Sequence, residues 1–194
     1  MRIETARPLR SAGVTPNALV YVRVVSGFTA RLTGVRPDQW ANPSPCSAWT
    51  VRELVAHTVG THRKVLGALG EGDVVEVDAS GDLVQQWLEA THALGAALGN
   101  PDRAGQAVRG VEGMLPFCNL VGGLISPDTL AHTWDLARAT GQDERLDERC
   151  VTACTQQLPE FGETLLRLGG FSAVPSAADA DAQTIFLNAV GRQT

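Results

Sequence analysis

Residues 117–141 read FCNLVGGLISPDTLAHTWDLARATG, from Phe117 to Gly141. At about 100° per residue, Phe117, Val121, Leu124 and Ile125 fall on one arc of a helix. Continued without a break, the same arc takes in Asp128, His132 and Asp135. Three polar residues in the middle of an apolar face break binary patterning, and such breaks gather at functional sites. Asp128 and His132 are one turn apart and share a face. A buried carboxylate beside a buried imidazole needs a partner, and a metal ion suits both. The same residues admit a second reading. Ser126-Pro127 has the form of a helix start, with Ser as N-cap and Pro at the first position. Asp128 would then complement the helix dipole, and His132 would be a hydrogen-bonded core residue. The pattern alone leaves both readings open.

The flanking sequence is helical in both directions. Thr15-Pro16 is an N-cap followed by Pro, and Leu19, Val22, Val25, Phe28 and Leu32 recur at helical spacing up to Gly34. Thr50-Val51-Arg52-Glu53 is a capping box opening a second helix, whose apolar arc includes Val51, Leu54, Val55, Thr58, Val65, Leu66 and Leu69. The spacing of Leu83, Trp87, Leu94 and Leu98 predicts a third helix, ended by Gly99-Asn100-Pro101. Residues 102–114 form a small hairpin or an irregular loop. Asp147 is expected to cap a fifth helix continuing to about Leu168, and a last helical piece covers Asp181 to Val190. Strand signals are weak throughout. The simplest architecture is all-α, an antiparallel helix bundle of a single domain spanning 1–194, with long connections and an extra C-terminal helical segment.

Composition excludes several classes. Hydrophobic residues at 44% and charged residues at 19% suit a globular core. Net charge is −5 and no basic block is present, which argues against nucleic acid as a partner. No apolar run is long enough for a signal peptide or a membrane span, so a cytoplasmic protein is expected. Cys46, Cys118, Cys150 and Cys154 are too few and too unevenly spaced for a disulfide framework.

His57 supplies a third candidate ligand. It lies at the edge of the second helix's apolar arc, roughly 60° from Leu54, and so faces a neighbouring helix. Bundle metal sites are assembled from inward side chains on facing helices. His57, Asp128 and His132 would leave at least one coordination position open, as catalytic sites do. His62 and His92 are expected at the surface. Asp135 is a candidate for orienting a ligand histidine, or else bonds to backbone. Trp49 fits a hydrophobic staple, Cys46 packing or a thiol near the pocket, and Arg138 a helix-end charge or an acidic substrate's partner.

Two segments carry a family resemblance. Residues 42–60, NPSPCSAWTVRELVAHTVG, and residues 132–141, HTWDLARATG, resemble the signatures of the actinobacterial DinB-like proteins. These include the N-terminal domain of mycothiol-dependent maleylpyruvate isomerase and the mycothiol S-transferases. The C-terminal FLNAVGR, residues 186–192, is similar to the way small members end. The resemblance implies a DinB-like four-helix bundle with a divalent metal held by His57, Asp128 and His132. Asp128 stands where the isomerase has Glu, one methylene longer, so its backbone must lie closer to the metal. The isomerase carries a C-terminal domain that these residues do not include, so transferase chemistry is expected over isomerisation. Zinc is the first choice for two imidazoles and a carboxylate, with nickel or iron also suited. The expected function is a metal-dependent thiol transferase using mycothiol, by resemblance, as nucleophile toward an electrophilic small molecule. The alternative is a non-catalytic metal-binding bundle in a structural, stress or partner-binding role. An exposed bundle face leaves room for a homodimer.

Overall fold

The computed structural model describes residues 14–46, 49–70, 74–110 and 113–194. The N-terminal stretch read for a signal peptide, and Ser47-Ala48 of the first signature, lie outside them, apart from Val14. Four long helices form the bundle expected of a DinB-like chain. Helix α1 is Pro16–Thr33, α2 is Val51–Gly67 and α3 is Leu83–Gly99. The fourth begins as α5, Phe117–Leu120, passes through a π-turn at Val121–Ile125 and continues as α6, Ser126–Thr140. Between α3 and α5, the short helix α4, Pro101–Gly105, leads into a hairpin of β1, Ala107–Arg109, and β2, Met114–Pro116.

The sides of the bundle are α1·α6, α6·α2, α2·α3 and α3·α1. Tyr21, Leu94, Leu98, Phe117 and Ile125 share one core cluster with Val65 and Leu66 against it, while Phe28, Leu32, Val51, Leu54, Leu83 and Leu136 share another. So α1 and α6 run one way, α2 and α3 the other. Consecutive helices α1 and α2 face across the diagonal, and α2 and α3 are parallel neighbours. Neither arrangement can be closed by a tight turn, which is why the connections are long.

The π-turn settles how Pro127 is read. Ile125 and Ser126 both have right-handed helical backbone, and the N–H of Ser126 donates to Val121 O, five residues back. Ser126 is therefore inside a helix and is no N-cap, since an N-cap residue leaves helical φ/ψ. The wider turn accommodates the proline ring where it would otherwise clash with the carbonyl four residues back. The turn also displaces the downstream residues on the wheel, so the single arc drawn from Phe117 to Asp135 does not hold. Instead α6 is buried on nearly every side, Asp128 alone being partly exposed between Ser126 and Ala137. Gly123, within this turn, lets the Phe161 ring approach the backbone closely, because a Cβ there would lie 2.3 Å from it.

The C-terminal part packs outside the bundle. The predicted fifth helix is two helices, α7, Glu148–Thr155, and α8, Leu158–Gly169. Pro159 would clash with the Thr155 carbonyl in a continuous helix, so the chain turns at Gln156-Gln157. Helix α9, Ala182–Ala189, packs with α7 on the α1 and α6 side of the bundle, around Val24, Leu130 and Trp134. Among the described residues, no helix is long and apolar enough to cross a membrane.

Candidate metal centre

The Thr50 capping box fixes where α2 starts. The Thr50 N–H donates to Glu53 Oε2 at 2.7 Å, and the Glu53 N–H donates back to Thr50 Oγ1 at 3.3 Å. Two turns on, the His57 ring packs on Trp49, with centroids 4.5 Å apart, and meets the His132 ring edge-on at 5.2 Å. Trp49 thus forms a wall of the site rather than a simple staple. From α6, His132 Nε2 lies 3.4 Å from Asp128 Oδ1, and His57 Nε2 lies 3.9 Å from Asp128 Oδ2. One donor atom from each of the three residues lies within 4.8 Å of the others. Donors around a tetrahedral ion at 2.0–2.2 Å stand about 3.4 Å apart, so binding an ion would draw the set together. Among the described residues, Asp128 Oδ2 is buried and has no hydrogen-bond partner. An orphaned carboxylate oxygen on a side chain that two imidazoles approach fits a divalent cation.

A second group of charges stands behind His132. Asp135 is fully buried and accepts four bonds: from His132 Nδ1 at 2.9 Å, Cys46 Sγ at 3.3 Å, Arg192 Nε at 3.3 Å and Arg192 Nη2 at 2.8 Å. With Nδ1 donating to Asp135, Nε2 is the nitrogen that faces Asp128 and His57, and it would bind an ion there once its own proton is displaced. Cys46, His132 and Asp135 also have the composition of a metal group. The Arg192 guanidinium already stands among them, 3.7 Å from Cys46 Sγ and 3.4 Å from His132 Nδ1, so a cation occupies that place.

The titration of these groups follows from the same contacts. Burial pushes the His57 pKa down to about 4, helped by the neighbouring His132, so its ring is neutral and available as a donor. At His132 burial also opposes charge, but Asp128 and then Asp135 outweigh it and hold the pKa well above the ordinary value. Burial would raise the Asp135 pKa; its bond from His132 and the Arg192 charge instead bring it to about 2.

The donors open onto a cavity of about 300 Å³ lined from α2 by Thr61, Lys64 and Val65 and from the C-terminal part by Leu165, Leu168 and Phe171. It is mainly apolar, and His57, Asp128 and His132 form part of its wall.

The profile of the family described as the mycothiol maleylpyruvate isomerase N-terminal domain matches residues 23–137. The chain belongs to this family. Among curated proteins, uncharacterized proteins from two strains of Mycobacterium tuberculosis, CDC 1551 / Oshkosh and ATCC 25618 / H37Rv, are each 34% identical over 152 residues, covering 74% of this chain and 80% of theirs. No solved structure matches significantly. The matched span of the family includes His57, Asp128, His132 and Asp135 and stops before α7, so the C-terminal wall and Arg192 lie beyond it.

Other residues fall differently from expectation. His62 is 1% exposed, not a surface histidine; it lies between Tyr21 and Trp87, with Nδ1 donating to Thr58 O at 2.8 Å. His92 is exposed as expected. Arg138 stands in the last turn of α6, pairing with Glu144 at 3.2 Å and lying over the Trp134 ring, and is absent from the cavity wall. Arg192 and the Cys46 contact escape sequence reasoning. The available signal was Gly191-Arg192: Gly191 has φ +85°, and its N–H and that of Arg192 close α9 on Asn188 O and Leu187 O. This Schellman ending turns the chain back and sends Arg192 inward.

Proposed function

We propose that the chain holds one divalent cation, zinc in the first instance, through His57, Asp128 and His132, and that it acts as an S-transferase on a small electrophile. The observation that carries the reading is the convergence of these three side chains, with Asp128 Oδ2 buried and unpartnered among the described residues. The open cavity beside them supports a catalytic role over a closed structural site. Mycothiol is the thiol suggested by the family's description.

The chain's own residues would divide the work. Asp135 and Arg192 hold the His132 ring in one tautomer and orientation. Trp49 holds His57 from the other side. The apolar wall from α8 restricts water, which strengthens electrostatic interactions inside the cavity. A bound divalent ion supplies Lewis acidity that lowers a thiol's pKa toward neutrality. The thiol proton leaves to solvent, sulfur forms a bond to the electrophilic carbon, and the leaving group departs with the bonding electron pair. Metal-loaded protein incubated with mycothiol and a panel of electrophiles should consume thiol, and chelator-stripped protein and the His132→Ala variant should not. Equal consumption by all three would overturn the proposal.

A further inference from the structure

Lys64 is the only lysine in the chain. Its position is seven residues after His57, nearly two full turns, so both lie on the same face of α2. At 1.5 Å per residue they are separated by about 10 Å along the helix axis. Both line the cavity, with Thr61 between them. Among the described residues no carboxylate pairs with the Lys64 ammonium and none of the hydrogen bonds uses it. Arg192, the other cation on the wall, is satisfied by Asp135. Leu168 lines the same cavity and stays 69% exposed. The cavity therefore combines three metal-donor side chains, an apolar wall and, at exposed Lys64, a positive charge that no described carboxylate pairs.

We propose that a small-molecule ligand entering this cavity carries a carboxylate that pairs with Lys64 and an apolar body that lies against Leu165, Leu168 and Phe171. Lys64 is then the residue that selects an amphipathic acid over a neutral molecule of the same shape. The inference rests on the metal reading, and the test separates the two. Zinc-loaded protein is titrated by calorimetry with straight-chain ω-mercaptoalkanoic acids of increasing length and with their neutral amides. At the chain length that binds best, the acid should bind about two- to fivefold tighter than its amide. Lys64→Gln should erase that preference and leave amide binding unchanged, and Lys64→Arg should retain it. Equal binding of acid and amide, or a Lys64→Gln loss that is the same for both, overturns the role of Lys64 while thiol binding still supports the metal reading. If zinc and thiols fail to bind at all, the metal reading falls and this inference with it.

Discussion

Replacing Arg192 with Leu removes the cation from a pair in which both partners are out of water. Arg192 is 7% exposed and Asp135 is 0% exposed. The substitution deletes two bonds to Asp135 and one to Val190 O at 2.7 Å, and takes the guanidinium from its place 4.4 Å from the Phe171 ring centroid. Breaking a buried pair by removing one partner costs about 3–5 kcal/mol, because the remaining charge is left uncompensated. Asp135 keeps its bonds from His132 and Cys46, which places the expected cost near the lower end, about 3 kcal/mol. In a chain of this size that is a fall of roughly 6–12 °C in Tm, leaving the protein folded at room temperature. Urea unfolding followed by circular dichroism, on chelator-treated protein at neutral pH, measures it directly. The double variant Asp135→Asn/Arg192→Leu removes the stranded charge and should recover at least about 1 kcal/mol relative to Arg192→Leu. An Arg192→Leu variant within about 1 kcal/mol of the parent, or a double variant no more stable than the single, would refute the charge argument.

Three further outcomes test the fold. Burial lowers the His62 pKa to about 4, so between about pH 6.5 and 4 the unfolded chain takes up a proton that the folded one excludes. Stability of the metal-free protein should be full above that window and fall by roughly 3 kcal/mol from His62 as pH drops through it; His62→Gln, followed by urea midpoints against pH, should remove that part of the slope. Thr50→Ala loses the cap of α2 and should cost about 1 kcal/mol in the same assay. Gly123→Ala drives a methyl into the Phe161 ring and should cost about 1–3 kcal/mol, whereas Gly95→Ala, with open space around it, should cost nothing.

What was legible in the sequence is what depends on local spacing. The capping box of α2, the proline at the start of α1 and the four-residue step from Asp128 to His132 each lie within one turn of helix. The bundle follows from such periodicities. His57 was found because a residue beside an apolar arc must meet a neighbouring helix. The same reasoning failed for His62, since α2 packs against both α3 and α6 and its buried face is wider than one arc. The π-turn before Ser126 was hidden because Gly122-Gly123 followed by Ser-Pro reads equally well as a break between helices. Cys46 and Arg192 reach Asp135 across 89 and 57 residues of chain, and no local pattern encodes contacts of that separation.

The central claim is that His57, Asp128 and His132 share one ion. Chelator-stripped protein reloaded with zinc, passed through a desalting column and assayed by atomic emission should carry about one zinc per chain, and His57→Ala, Asp128→Ala and His132→Ala should each carry far less. A His132→Ala or Asp128→Ala variant that stays folded and retains the full complement of zinc would contradict it.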